Sequence, residues 1–138
     1  MLDIQLLTVE SVYSVHKQAI DLYGGLDGVF NNTYDKIESI ISQQYPVFGY
    51  DKYPNIYQKA AMVLYFFSKD HCFIDGNKRI AIMCTILLLN INGYKSLLTN
   101  DEGYNKTLEI SQSKISENDR DEYIDRIAGW LCENFVRE

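Results

Sequence analysis

The chain has 138 residues, 46% of them hydrophobic and 23% charged, which is ordinary for a globular domain and excludes disordered, collagen-like and disulfide-scaffold chains. One domain over residues 1–138 is expected, because a chain of this length buries roughly two thirds of its unfolded surface around a single core. Thirteen Lys and Arg against nineteen Asp and Glu leave a formal charge of −6, the opposite of a surface built to grip many phosphates, so nucleic acid is not an expected partner.

Three cysteines, Cys72, Cys84 and Cys132, form no C-x-x-C pair, and the chain has two histidines. Neither a zinc site nor a disulfide framework is expected. The opening MLDIQLLTVESVYS carries acidic residues where a secretory signal carries basic ones, and it lacks a long apolar run, so a cytoplasmic location is expected. The most apolar stretch, Ile80 to Ile91, is interrupted by Thr85 and Asn90. It falls short of the ~20 apolar residues of a membrane span, so no membrane contact is expected and the stretch reads as a buried core helix.

In chain order, Thr8 is an N-cap for a helix whose apolar positions Val9, Val12, Tyr13, His16, Ala19, Ile20 and Tyr23 recur with helical spacing, and Gly24 and Gly25 end it. Leu26 to Asn32 reads as loop. Thr33 offers a second cap, followed by a short helix through Ile37, Ile40 and Ile41 that ends before Tyr45. Gln44 to Asn55, QYPVFGYDKYPN, has both prolines, a glycine and four aromatics in place of a helical period, and reads as an extended flap or short hairpin. IYQKAAMVLYFFSKD is an amphipathic helix with Ile56, Ala60, Val63, Leu64 and Phe67 on one face. The loop HCFIDGNKR leads into the apolar central helix, which Gly93 terminates. Two more helices are predicted, about Asp101 to Lys114 and about Asn118 to Phe135, the second with Tyr123, Ile124, Ile127, Ala128, Leu131 and Phe135 facing inward. The expected fold is all-α, a compact bundle of about six helices with one short flap.

His71, Asp75, Asn77, Lys78 and Arg79 fall within nine residues between the two most apolar helices. A loop that feeds a helix N-terminus, with Gly76 allowing close backbone approach, presents free amides and the positive end of the helix dipole, which together make an anion site. Lys78 and Arg79 add side-chain charge for a phosphate. Asp75 is a hard oxygen ligand suited to Mg²⁺, and His71 is a base for an attacking hydroxyl. Each residue alone has a plainer role: His71 a loop histidine, Asp75 a helix cap, Asn77 a turn residue, Lys78 and Arg79 a solvated face. Their joint order points to phosphoryl or nucleotidyl transfer. His16 reads as a hydrogen-bonded histidine on an apolar helical face, and Cys72 as a small buried filler.

The run His71–Arg79, H-C-F-I-D-G-N-K-R, resembles the signature loop of the Fic/Doc superfamily, H-x-F-x-[D/E]-x-N-[G/K]-R. LYGGLDG from Leu22 to Gly28, YPN-x-x-x-KAA from Tyr53 to Ala61 and the N-x-N-GY run closing at Tyr94 are similar to the death-on-curing, or Doc-like, branch. The resemblance implies a small helical bundle with this loop between two central helices. It implies His71 as the base that deprotonates a target hydroxyl, Phe73 as the loop's anchor in the core, and Asp75 as the Mg²⁺ ligand. Gly76, Asn77, Lys78 and Arg79 are implied to hold the phosphates of ATP. The aromatic flap, with Tyr45, Phe48, Tyr50 and Tyr53, is implied to align a target polypeptide by backbone pairing.

Lys78 stands where the AMP-transferring branch has glycine, and Ile82 where that branch has a second arginine. The Doc branch shares the lysine and lacks that arginine, and there the γ-phosphate faces the target, which implies a kinase; Gly76 departs the other way, since Doc itself has alanine there. The implied protein is a toxin of a toxin and antitoxin pair that phosphorylates a Ser or Thr of a cellular protein, with a translation elongation factor as the first target to try. An AMP transferase is the nearest alternative, and a catalytically silent module that binds a nucleotide or an antitoxin is the alternative of another class. Ser113, Glu117 and Asn118 also fit the family's inhibitory pattern [S/T]-x-x-x-E-[G/N], although SQSKISEND reads equally as a helix-to-helix turn with Ser116 as cap.

Overall fold

The computed structural model describes residues 3–138. Thr8 caps α1 (Val9–Tyr23) as expected: its hydroxyl accepts from the Ser11 amide while Ser11 Oγ accepts from the Thr8 amide. Gly24 stops the helix at φ 78°, a left-handed value that glycine adopts without strain. The next helix, α2 (Thr33–Ser42), starts one residue earlier than a Thr33 cap would have it, with Asn32 in the cap position. Thr33 serves a different purpose, for its buried hydroxyl accepts from Phe30 N and donates to the carbonyl of Cys72.

Beyond α2 the predicted flap is a tight turn. Val47 and Tyr50 exchange both backbone hydrogen bonds around Phe48 and Gly49, at φ 50° and 78°, the geometry that closes a two-residue hairpin. Its root is fixed from below. Lys59, itself buried, donates to the Gln44 carbonyl at 2.7 Å and to both oxygens of Asp51. The Gln44 side chain in turn bonds the backbone of Leu7 and Ile41. Burying an ammonium is tolerable only with such partners.

A capping box of Asn55 and Gln58 opens α3 (Ile56–Lys69). The amphipathic face predicted for it is all buried, and so are Lys59, Ala61, Met62, Tyr65 and Ser68, because this helix is enclosed on nearly every side. After the polar loop comes α4 (Asn77–Ile91), as apolar as expected, with Gly93 at φ 89° just past its end. α3 and α4 form the central hairpin of helices. α5 (Asn100–Gln112) and α6 (Glu117–Asn134) pack on them from one side, and α1 and α2 complete the bundle. One cluster of buried side chains draws on all six helices.

A short ladder lies outside the predicted elements. β1 (Tyr94–Ser96) pairs antiparallel with β2 (Phe135–Arg137), Lys95 facing Val136. Phe135, read as the last inward position of a helix, is buried as expected but sits in this strand. A three-residue strand is too short to show a period, and it forms where the chain leaving α4 meets the chain leaving α6. Among the described residues no helix is long and apolar enough to cross a membrane.

Candidate active site

The polar loop is held by bonds that the sequence order alone does not reveal. Phe73 is buried, as its anchoring role requires. Its amide donates to Asn77 Oδ1 at 3.0 Å and its carbonyl accepts from Asn77 Nδ2 at 2.8 Å. The Asn77 side chain is thus committed to shaping the loop, and what it offers a phosphate is its main-chain amide. A single bridge pairs Phe73 with Val29, and the neighbouring Ile74 amide donates to the Gly28 carbonyl, so the chain after α1 forms a second support.

His16 supplies a third. It is buried, stacks face to face on Phe73 with ring centroids 3.8 Å apart, and its Nε2 lies 3.0 Å from the Asp75 carbonyl. Since a carbonyl only accepts, Nε2 carries the proton. The hydrogen-bonded role read for His16 is therefore correct, but its partner is the loop itself.

Asp75 is exposed, with Oδ2 accepting from the Leu26 amide and Oδ1 from the Gly76 amide. These two backbone donors hold its carboxyl below the usual carboxylate range, so it is ionised at neutral pH. Each oxygen keeps a further lone pair for an ion. Among the described residues no group of three or more His, Cys, Asp or Glu converges on one point. A single exposed carboxylate of this kind would suit Mg²⁺, an ion that commonly keeps several waters and takes one or two carboxylates.

Gly76 has φ 80° and lies against His16 and Ile20, so that a Cβ there would sit 3.4 Å from Ile20 Cδ1. It begins α4 without a side-chain cap, unlike the boxes that open α1, α3 and α5. The first-turn amides of Asn77, Lys78 and Arg79 have no partner among the described residues. They open onto a cleft of about 410 Å³ lined by Tyr23, Gly24, His71, Ile74, Asp75, Gly76, Asn77, Lys78, Arg79 and Tyr104. His71 is exposed there. An imidazole, a carboxylate, two cations and free amides thus share one concavity, chemically suited to a polyphosphate beside a hydroxyl.

Two further residues line the cleft without a local sequence signal for it: Tyr23 falls at an apolar position of α1, and Tyr104 lies far along the chain on α5; both ring centroids stand 4.1 Å from the Arg79 guanidinium carbon. Ile82 does not line the cleft. It is buried against Gly103 of α5.

The flap and the inhibitory pattern fare differently. Tyr45, Phe48 and Tyr50 are exposed, Phe48 completely, and remain available to a partner. Tyr53 is not: it is 5% exposed and belongs to the core, because the chain must turn inward to start α3. Ser113 caps the end of α5, its carbonyl accepting from Lys69, and Glu117 and Asn118 open α6 behind the Ser116 cap position. None of the three lines the cleft, so the turn reading of that segment describes its place.

A model of the Fic/DOC family matches residues 6–89. The chain is similar to the "Toxin Doc" of Mycolicibacterium smegmatis, 36% identical over 61 residues that make up 44% of this chain and 47% of that protein. It is also similar to the "Protein kinase doc" of Escherichia phage P1, 29% identical over 87 residues, 63% of this chain and 68% of that protein. The matched segment contains α1 through most of α4 and every residue of the polar loop. This chain belongs to the Fic/DOC family.

Proposed function

We propose that this protein transfers the γ-phosphate of ATP to a Ser or Thr hydroxyl of a cellular protein, as the toxin of a toxin and antitoxin pair. The observation that carries the reading is the shared cleft, in which an exposed His71 faces the same space as the uncapped start of α4. The name of the phage relative supports kinase chemistry, and the name of the Mycolicibacterium relative supports a toxin. A translation elongation factor is the first target to try.

In this reading the α4 amides, Lys78 and Arg79 bind and neutralise the phosphates, so that the chain contributes positioning and electrostatics more than covalent chemistry. Asp75 would hold Mg²⁺, which would supply positive charge to offset that of the phosphates. His71 takes the proton from the attacking hydroxyl. Among the described residues its imidazole has no hydrogen-bond partner, which suits a group that must meet a hydroxyl from outside. Being exposed, it relies on the bound target to exclude water.

AMP transfer is the second reading, favoured by Gly76. Against it stand Lys78, a bulky cation where the AMP-transferring branch has glycine, and Ile82, which is packed beneath α5 and offers the cleft no second arginine. Incubation of a cell extract with ATP labelled at the γ or the α phosphate separates the two. Protein labelled from the γ position is the expected result, and protein labelled from the α position overturns it.

A further inference from the structure

Arg79 is held in a way that no other cation of the loop shares. The ring centroids of Tyr23 and Tyr104 both lie 4.1 Å from its guanidinium carbon. The two rings make no ring-to-ring contact with each other among the described residues, so they approach the guanidinium from different sides. A guanidinium flanked by two ring faces is restricted in where it can swing, and the N–H edge it keeps free of the rings is the part that matches a phosphate bidentately.

The second ring arrives by close helix packing. Gly103 leaves no room for a Cβ, which would stand 2.9 Å from Ile82 Cγ1. That contact brings α5 down onto α4 one turn beyond Arg79 and lays the next residue, Tyr104, over the guanidinium. α5 lies wholly outside residues 6–89, so the segment matched to the family does not contain this half of the clamp.

We propose that Tyr23 and Tyr104 are positioning residues that fix the Arg79 guanidinium edge toward the phosphates of a bound nucleotide. The proposal rests on the nucleotide reading given above. A free arginine loses rotamer freedom when it captures a phosphate, and a clamped one has lost it already in folding, so the clamp strengthens phosphate capture without touching the ligand. The rings act through their π faces, not their hydroxyls.

The test uses the full chain with MgATP as probe, binding followed by calorimetry and the Arg79 Nε–H resonance by NMR. Tyr104→Leu is expected to weaken MgATP roughly tenfold and to reduce the ring-current shift of that resonance to the part owed to Tyr23, with Tyr104→Phe keeping both near the parent values. Tyr23→Leu, at a half-exposed helix end where folding is not at stake, is expected to act in the same direction. Tyr104→Leu binding as tightly as the parent overturns the clamp alone, as does a Tyr104→Phe chain that is as weak as Tyr104→Leu. A parent chain that binds no MgATP overturns the proposed function and the phosphate-orienting role with it.

Discussion

The imidazole of His16 lies flat on the ring of Phe73, centroids 3.8 Å apart and planes within 8° of parallel. One side chain of α1 thereby carries both the anchor of the polar loop and, through its bond to the Asp75 carbonyl, the turn that opens α4. The two contacts separate by substitution. His16→Phe keeps the stacking and loses the donor, leaving a carbonyl unpaired; a loss of about 1–3 kcal/mol in denaturant unfolding is expected, with MgATP binding weakened. His16→Ala loses both and is expected to unfold more easily still. Equal stability of the parent and the Phe variant would show that the bond does not hold the loop.

His71 stands in the opposite position, exposed, and among the described residues its imidazole has no hydrogen-bond partner while its carbonyl accepts from Lys36. His71→Ala is therefore expected to leave the melting midpoint within the range of surface substitutions, about 0.5 kcal/mol either way, while phosphoryl transfer falls about 10²- to 10⁴-fold. Labelling from γ-labelled ATP, read beside a thermal melt of the same preparation, checks both halves. Undiminished labelling would remove His71 as the base.

Asp75 sets a pH dependence whose sign follows from its donors. Its folded carboxyl titrates below the ordinary value of 3.8 because the Leu26 and Gly76 amides bond the charged form. A group lowered in this way contributes stability above its unfolded value and loses it as pH falls through the folded one. Nucleotide binding through Asp75 is thus expected to persist into weak acid. A carbon-detected NMR titration should find its midpoint below 3.8, and Asp75→Asn should remove that part of the acid unfolding slope.

Adjacent glycines after α1 should respond unequally. Gly24 and Gly25 both have positive φ, 78° and 117°. A Cβ on Gly24 meets open space, whereas one on Gly25 would stand 2.7 Å from Asp75 Oδ2. Gly24→Ala is expected to cost about 1 kcal/mol of backbone strain and, although Gly24 lines the cleft, to weaken MgATP less than Gly25→Ala, which is expected to cost about 2–3 kcal/mol as well. Calorimetric titration of both variants decides it, and equal binding would mean that Asp75 moves aside freely.

The cysteines give a readout of the core. Burial pushes the Cys72 thiol up to about 12 and raises that of Cys84 as well, while Cys132 is exposed. One thiol per native chain is expected to react with iodoacetamide at pH 8, and three after unfolding. A second fast thiol in the native state would show that the loop beside Cys72 opens.

Much of this protein was legible in its amino-acid order. The Thr8 cap, the Gly24 and Gly93 stops, the buried faces of α3 and α4 and the polar cluster His71–Arg79 are all local, because caps, helical periods and the left-handed turns of glycine depend on neighbours a few residues away. Tertiary structure decided what those residues touch. It brought Tyr104 of α5 over Arg79, laid His16 on Phe73, turned Tyr53 into the core and joined the chain's strands at positions 94–96 and 135–137. Each of these joins residues tens of positions apart, and such pairings are fixed by how whole helices pack, which no local period records.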